Sequence, residues 1–188
     1  MLDDAPSELN LQRLHNRGAH YLGTLAHFLQ APSAEWFTVG IGAPLVRERI
    51  AAQLADAGLK PATLVHPSAT LGEDCTIGAG TVVCAGAAIS TCVVLGEHVH
   101  VNANASIGHD TRLDALVSVN PGAIISGDCL IGTRCLLGAG SVILQGLQVG
   151  ADTIVGAAAC VTRDVPSGVT VKGAPGRWAA PTDAAPAV

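Results

Sequence analysis

Aliphatic residues recur at every sixth position along most of the chain. Seventeen consecutive repeats carry one at the same place, from Val65 through Ile107 to Val161. The position four residues later is small or apolar throughout, as at Ala69 and Ala105. A period of six fits neither an α-helix nor a simple hairpin strand. It predicts a short strand and a sharp turn, repeated so that three hexads make one triangular coil.

Coils of this kind stack through parallel strand pairing at about 4.8 Å. Seventeen hexads divided by three give between five and six coils. Glycine follows the aliphatic residue in eight hexads, for example Gly72, Gly78, Gly108 and Gly138. We expect these glycines to serve where the turn needs unusual backbone dihedrals. The pattern predicts a mainly β protein with a parallel β-helix over residues 61–166.

The segments outside the repeat have different patterns. Residues 36–42 predict a strand that ends in a glycine turn, and Pro44 suits the first position of a helix. A helical stripe follows, and Gly58 ends it; its members are Leu45, Ile50, Leu54 and Ala57. Residues 1–60 are therefore predicted to form a small α/β domain. Residues 179–188 are rich in Ala and Pro, and we expect them to be a disordered tail.

Composition narrows the class of protein. Aromatic residues make up 3% of the chain and charged residues 13%, so the core must be narrow and built from small and β-branched side chains. The net charge is −5 and the ten Lys and Arg residues are scattered. The sequence therefore shows no basic patch of the kind that binds nucleic acid. No apolar stretch reaches the ~18 residues of a membrane span, and no signal peptide opens the chain. Six cysteines without a Cys-x-x-Cys pair indicate reduced thiols and a cytoplasmic protein.

One column of the predicted helix carries candidate chemistry. A step of one coil, or three hexads, stacks Thr91, His109 and Gly127, so the residue above His109 has no side chain and leaves room for a ligand. Asp110 can accept the Nδ1 proton of His109, which would make Nε2 the basic nitrogen. Asn102 and Asn120 also stack one coil apart and offer amide groups nearby.

The motifs around His109 resemble a known family. Residues 102–110 and 119–127 are similar to those of the sialic-acid O-acetyltransferases and bacterial amino-sugar N-acetyltransferases, which are hexapeptide-repeat acyltransferases, and residues 171–177 resemble their closing loop. The resemblance implies a left-handed coil, which the usual crossover rule would not give. It also implies acetyl transfer from acetyl-CoA to the amino or hydroxyl group of a sugar or nucleotide-linked sugar. His109 would be the general base and Asp110 its orienting partner.

The resemblance assigns further residues by position. Acetyl-CoA would contact Gly127, Ala139 and Ala157, and also Ser118, where the amino-sugar enzymes can carry a second histidine. Residues 167–178 would form the closing loop on the CoA side of the molecule. The nucleotide of the acceptor would contact Asp3, Asp4 and Gly42, although the opening strand and glycine-rich loop of the family's first domain have no counterpart here. The resemblance further implies a homotrimer and no metal.

Two alternatives remain open. A catalytically silent β-helix would act as a scaffold subunit, and the absent glycine-rich loop favours it, whereas the His109–Asp110 pair opposes it. An acyltransferase of the same fold with a non-sugar acceptor, such as an amino acid, is the second. A cysteine nucleophile is disfavoured because none of the six cysteines shares the column of His109.

Overall fold

The computed structural model describes residues 1–179, and most of it is a stack of parallel two-residue strands. Residues 1–61 contain three helices and two strands: α1 Glu8–Asn16, α2 Leu25–Phe28, β1 Trp36–Phe37, α3 Pro44–Asp56 and β2 Lys60–Pro61. The repeat follows as β3 Leu64–Val65, β4 Thr70–Leu71, β5 Thr76–Ile77, β6 Val82–Val83, β7 Ala88–Ile89, β8 Val94–Leu95, β9 His100–Val101, β10 Ser106–Ile107, β11 Arg112–Leu113, β12 Ser118–Val119, β13 Ile124–Ile125, β14 Leu130–Ile131, β15 Leu136–Leu137, β16 Val142–Ile143, β17 Gln148–Val149, β18 Ile154–Val155, β19 Cys160–Val161 and β20 Thr170–Val171.

The strands form three flat faces of a triangular prism. Face I contains β3, β6, β9, β12, β15, β18 and β20; face II contains β4, β7, β10, β13, β16 and β19; and face III contains β5, β8, β11, β14 and β17. Neighbouring strands are parallel, and the step from one to the next is three hexads, as where Ser106 lies opposite Ile124. The predicted left-handed parallel β-helix is confirmed.

The interior follows the hexad pattern. The aliphatic residue is buried in every coil from Val83 onward, while Val65 and Leu71 remain exposed at the open first coil. The inward-pointing threonines donate to carbonyls at the next corner, as Thr111 Oγ1 does to Ser126 O at 3.0 Å. Cys135 Sγ makes the same bond to a corner carbonyl at 3.1 Å. These bonds matter because an unpaired buried polar group costs about 1–3 kcal/mol.

The glycines that follow the aliphatic positions do not serve left-handed turns, so that expectation was wrong. They lie against the backbone of the next coil instead, where a Cβ on Gly138 would meet Ala157 N at 2.5 Å. The left-handed residue comes two positions later, at every sixth residue from Asp74 to Ala158, with φ between 54° and 73°. The two requirements of each corner, close stacking and positive φ, thus fall on different residues.

The last coil is shorter than the others. Ile154 lies opposite Thr170, which is less than three hexads further along the chain, so the parallel ladder continues past residue 166 into the expected closing loop. Trp178 packs on the core, and the guanidinium of Arg163 lies 4.7 Å from its ring centroid. Nearly all of the tail expected to be disordered, residues 180–188, lies outside the described residues.

The N-terminal domain packs on face I. Strands β1 and β2 pair in parallel, and α3 begins at Pro44 as predicted. The small core of this domain contains Phe28, Phe37, Val39, Ala51, Leu54 and Leu59. The predicted stripe on α3 is partly wrong, because Leu45 is 66% exposed whereas Arg47 is completely buried. Residues 2–4 lie in no strand, and α1 buries none of its residues.

Candidate active site

His109 and Asp110 lie at the corner between faces II and III. His109 Nδ1 is 2.7 Å from Asp110 Oδ2, and both side chains are about half exposed. Asp110 occupies the left-handed position of its hexad, with φ 58°. Backbone bonds to the adjacent coils fix the corner, since Asp110 N donates to Thr91 O and Asp128 N donates to His109 O. The expected orientation of the imidazole by Asp110 is thus present in the geometry.

Gly127 lies directly beside the imidazole. A Cβ on Gly127 would lie 2.5 Å from His109 Nε2, and Gly127 itself is buried. The space that its missing side chain leaves is therefore filled by the imidazole and not free for a ligand, contrary to the expectation from the sequence. Glycine at 127 permits the histidine ring to lie flat along the corner.

Asn102, Asn120, Ala139 and Ala157 lie at a different corner, between faces I and II. Asn102 Nδ2 donates to Val119 O at 3.0 Å and lies 3.5 Å from Asn120 Oδ1, so the expected stacking is present. Ala139 and Ala157 are exposed one coil apart. In a single chain, face II separates this alanine corner from His109, and the structure does not bring the two groups together.

Ser118, expected to contact acetyl-CoA, lies beneath α3 and the turn before it. Its side chain is fully buried on face I. Its Oγ donates to Gly42 O at 2.8 Å and accepts from Arg47 Nη2 at 2.9 Å. A contact between Ser118 and acetyl-CoA stays a prediction, and within this chain α3 and the turn before it cover the face on which Ser118 lies.

Arg47 is the residue that sequence reasoning missed. Its guanidinium contacts carbonyls of the turn before α3 and of two stacked corners of the β-helix, and also the hydroxyl of Ser118. Burial lowers its pKa to about 10. The available signal was its spacing, since Arg47, Ala51 and Leu54 form the stripe of α3 that is buried.

Two imidazoles lie under the same junction. Burial, and secondarily the charge of Arg47, lowers the pKa of His100 to about 4, and burial also lowers the pKa of His98. His98 stacks on Phe37 with 6.0 Å between ring centroids. Both histidines are therefore neutral packing residues, without a part in the chemistry at His109.

Of the residues expected to contact the nucleotide, Asp3 and Asp4 each accept a hydrogen bond from a backbone amide. Asp4 Oδ1 accepts from Leu25 N at 2.9 Å, at the start of α2. Asp3 Oδ1 accepts from Ala5 N at 3.0 Å. Gly42 is exposed, and a Cβ there would meet no atom within 4 Å.

Two kinds of feature are absent from residues 1–179. No group of three or more His, Cys, Asp or Glu side chains is arranged to hold a metal ion there. No helix in that range is long and apolar enough to cross a bilayer.

The coil, its hexads and the corner histidine define the hexapeptide-repeat class of transferases. The profile described as "Hexapeptide repeat of succinyl-transferase" matches residues 62–85, 69–109 and 128–163. The curated GDP-perosamine N-acetyltransferase of Escherichia coli O157:H7 is 34% identical over 74 residues, which is 39% of this chain. That match spans about a third (34%) of the relative's length.

Solved structures match over most of the chain. The acetyltransferase domain of PglB from Neisseria gonorrhoeae FA1090 is 35% identical, with a TM-score of 0.82, over 86% of this chain and 80% of that one. A mutant of perosamine N-acetyltransferase from Caulobacter crescentus, in complex with CoA and GDP-perosamine, is 30% identical with a TM-score of 0.82 over 87% and 79%. WeeI from Acinetobacter baumannii AYE is 28% identical with a TM-score of 0.81 over 85% and 78%. This chain belongs to the hexapeptide-repeat sugar acetyltransferase family.

Proposed function

We propose that this protein transfers an acetyl group from acetyl-CoA to an amino or hydroxyl group of a sugar or nucleotide-linked sugar. The observation that carries the proposal is the His109–Asp110 pair, held 2.7 Å apart at an exposed corner. Catalytic histidines commonly have a carboxylate on one ring nitrogen, which orients the ring and leaves the other nitrogen basic. A scaffold subunit has no need of this arrangement.

His109 acts as the general base in the proposed reaction. Nδ1–H donates to Asp110, so Nε2 takes the proton of the acceptor amine or hydroxyl while that atom attacks the thioester carbonyl. The C–S bond then breaks, and His109 returns the proton to the leaving thiolate. General-base assistance of this kind contributes about 10²–10⁴-fold. The attack is direct, and no covalent acyl-enzyme forms.

The alanine corner supports binding of acetyl-CoA. Ala139 and Ala157 are exposed and small, so an extended pantetheine chain can lie against the coil there. Relatives have been solved with CoA or acetyl-CoA bound. Because this corner and His109 are separated within one chain, we propose a homotrimer in which His109 of one chain faces the alanine corner of the next. Exposed apolar side chains on the three faces, Ile154, Ile124 and Leu130, support such contacts.

We propose that the acceptor is a nucleotide-linked sugar held by the N-terminal domain. Gly42 precedes α3, and the amides at a helix N-terminus attract phosphate. Asp3 and Asp4 lie in the same small domain, although their Oδ1 atoms already accept backbone bonds. The perosamine N-acetyltransferase of Caulobacter crescentus was solved with GDP-perosamine, which favours this acceptor class.

A panel of acceptors tests the reaction. The protein is incubated with acetyl-CoA and UDP- or GDP-linked amino sugars, sialic acid or serine, and release of free thiol is measured. We expect turnover with a nucleotide-linked amino sugar. Turnover with serine alone would identify a non-sugar acyltransferase, and no turnover with any acceptor would favour a scaffold subunit.

Hydrogen exchange tests the acceptor site. A UDP-linked amino sugar should protect residues 1–45, even if it binds with a Kd near ~1 mM, which corresponds to only about −4 kcal/mol. Protection confined to the β-helix would instead make a free sugar the better candidate.

A further inference from the structure

The junction between α3 and the β-helix contains a buried cation without a countercharge. Arg47 is completely buried, and the neighbouring Glu48 contacts Arg134 instead. Every oxygen that Arg47 contacts is a neutral carbonyl or hydroxyl oxygen. Burying an uncompensated charge is costly, so this arrangement requires a reason beyond simple packing.

The acceptors of Arg47 come from three separate segments. Nη1 donates to Ile41 O at 2.7 Å and to Gly42 O at 3.2 Å. Nε donates to His98 O at 3.0 Å. Nη2 donates to Leu116 O at 2.6 Å and to Ser118 Oγ at 2.9 Å. One planar guanidinium thus ties the turn before α3 to two consecutive coils of face I.

These bonds set the orientation of the turn. In a trans peptide the C=O and N–H groups point in opposite directions. Because the carbonyls of Ile41 and Gly42 point at Arg47, the amide N–H groups of Gly42 and Ala43 point away from it. Neither amide has an acceptor within the described residues, and Ala43 caps α3 without a side-chain bond. Ser118 contributes a second tie through its bond to Gly42 O.

We infer that Arg47 is a positioning residue for the acceptor, because it fixes the Ile41–Gly42 turn so that the amides of Gly42 and Ala43 face the phosphates of a nucleotide-linked sugar. The inference rests on the acceptor class proposed above. Ser118 assists by holding both the guanidinium and the turn.

Two variants and one control test this role. Arg47→Lys keeps the charge, but a single ammonium cannot span three segments as the guanidinium fork does. Ser118→Ala removes one oxygen from the same network without adding bulk. Ser141→Ala is the matched control, since Ser141 is equally buried in the β-helix and its Oγ has no partner within the described residues.

The expected result is a selective change in KM. With a UDP- or GDP-linked amino sugar, KM should rise about 10-fold in Arg47→Lys and about 3-fold in Ser118→Ala, while KM for acetyl-CoA stays within about 2-fold. A merely structural role would lower the active fraction and leave both KM values unchanged. Ser141→Ala should match the wild type in both constants.

Hydrogen exchange of the ligand-free protein tests the role of Arg47 and Ser118 independently of the proposed acetyl transfer. Exchange of the Arg47 amide, which donates to Ala43 O at the start of α3, should accelerate in the ligand-free Ser118→Ala protein and not in Ser141→Ala. Unchanged exchange and unchanged KM in Ser118→Ala would overturn the inference, even if Arg47→Lys fails to fold. A wild-type protein inactive on every nucleotide-linked sugar, with exchange accelerated as expected, would contradict the proposed acceptor while leaving Arg47 as the residue that orders the turn.

Discussion

At the residue scale, one glycine and one histidine depend on each other. The imidazole of His109 covers Gly127, and its Nδ1 is bonded to Asp110. The position of the imidazole is thus fixed by its contacts with Asp110 and Gly127. Substitutions at either His109 or Gly127 therefore test the proposed role of His109 as the general base.

Removing the base should abolish most turnover without unfolding the protein. We expect His109→Ala to lower kcat by about 10²-fold or more, because the proton acceptor is lost. The melting temperature should change little, since half of the side chain is exposed. Asp110→Asn should have a smaller effect, and asparagine tolerates the left-handed backbone at this position better than alanine would. Wild-type turnover in His109→Ala would show that another group is the base.

Adding one methyl group should displace the base. In Gly127→Ala the new Cβ would meet the imidazole at 2.5 Å, so we expect the ring to turn away and kcat to fall about 10-fold or more. Steady-state kinetics of the single and double variants measure this. In a His109→Ala background the same change should have no further effect, and an additive loss would contradict steric displacement of the ring.

At the element scale, close stacking and positive φ fall on two different residues of a corner, whereas the sequence pattern predicted unusual backbone dihedrals at the glycine. The glycine after the aliphatic residue permits close stacking, and the residue two positions later adopts positive φ. Besides Gly, the second position accepts Asp, Asn, His, Arg, Leu, Ala and Cys along this chain. A hydrogen-bonded ladder therefore supports left-handed backbone in residues that would rarely adopt it alone.

Two glycines of a single corner should respond differently to alanine. Gly138→Ala places a Cβ 2.5 Å from Ala157 N, whereas a Cβ on Gly140 meets nothing within 4 Å. We expect Gly140→Ala to cost about 1–2 kcal/mol for its left-handed backbone, and Gly138→Ala to cost clearly more because two coils must separate. Denaturant unfolding of both variants provides the comparison. Equal losses would argue against backbone contact as the reason for glycine at 138.

The repeat was predictable from the sequence because one pattern recurs in every hexad. The stacking of residues such as His109 and Gly127 follows from counting three hexads along the chain. The burial of Ser118 and Arg47 was not predictable in this way, because it depends on how α3 lies on face I, and that is a non-local contact. Arg47 is also an exception to the general rule that a charged residue on a helix faces solvent.

At the scale of the whole molecule, the junction between α3 and face I should be sensitive to acid. The folded pKa of His100 lies at about 4, below the unfolded value of 6.5. The unfolded chain therefore takes up a proton first, and stability falls as the pH drops from 6.5 towards 4, by roughly 3 kcal/mol in total. His98, Arg47 and Glu97 are the other charged or titratable groups around it. Urea unfolding across this range measures the slope, and His100→Val should flatten it; an unchanged slope would assign the loss to other groups.

The proposed assembly also belongs to this scale. Sedimentation at micromolar concentration should give three times the 18.9 kDa of one chain. In the proposed trimer, His109 of each chain faces the alanine corner of the next, and closed threefold symmetry pairs all three. Fully active monomers would contradict the proposed pairing of corners.

The constant step of three hexads has a consequence for changes in chain length. An insertion of one whole coil keeps every later residue on its own face and repeats the full set of ladder bonds. A step of another length needs an altered corner, as in the last coil, where Ile154 lies opposite Thr170. A coil added between residues 127 and 139 would raise the alanine corner by one strand spacing, about 4.8 Å, without turning it away. In the proposed site, the separation between His109 and the alanine corner along the prism axis is therefore set in whole coils.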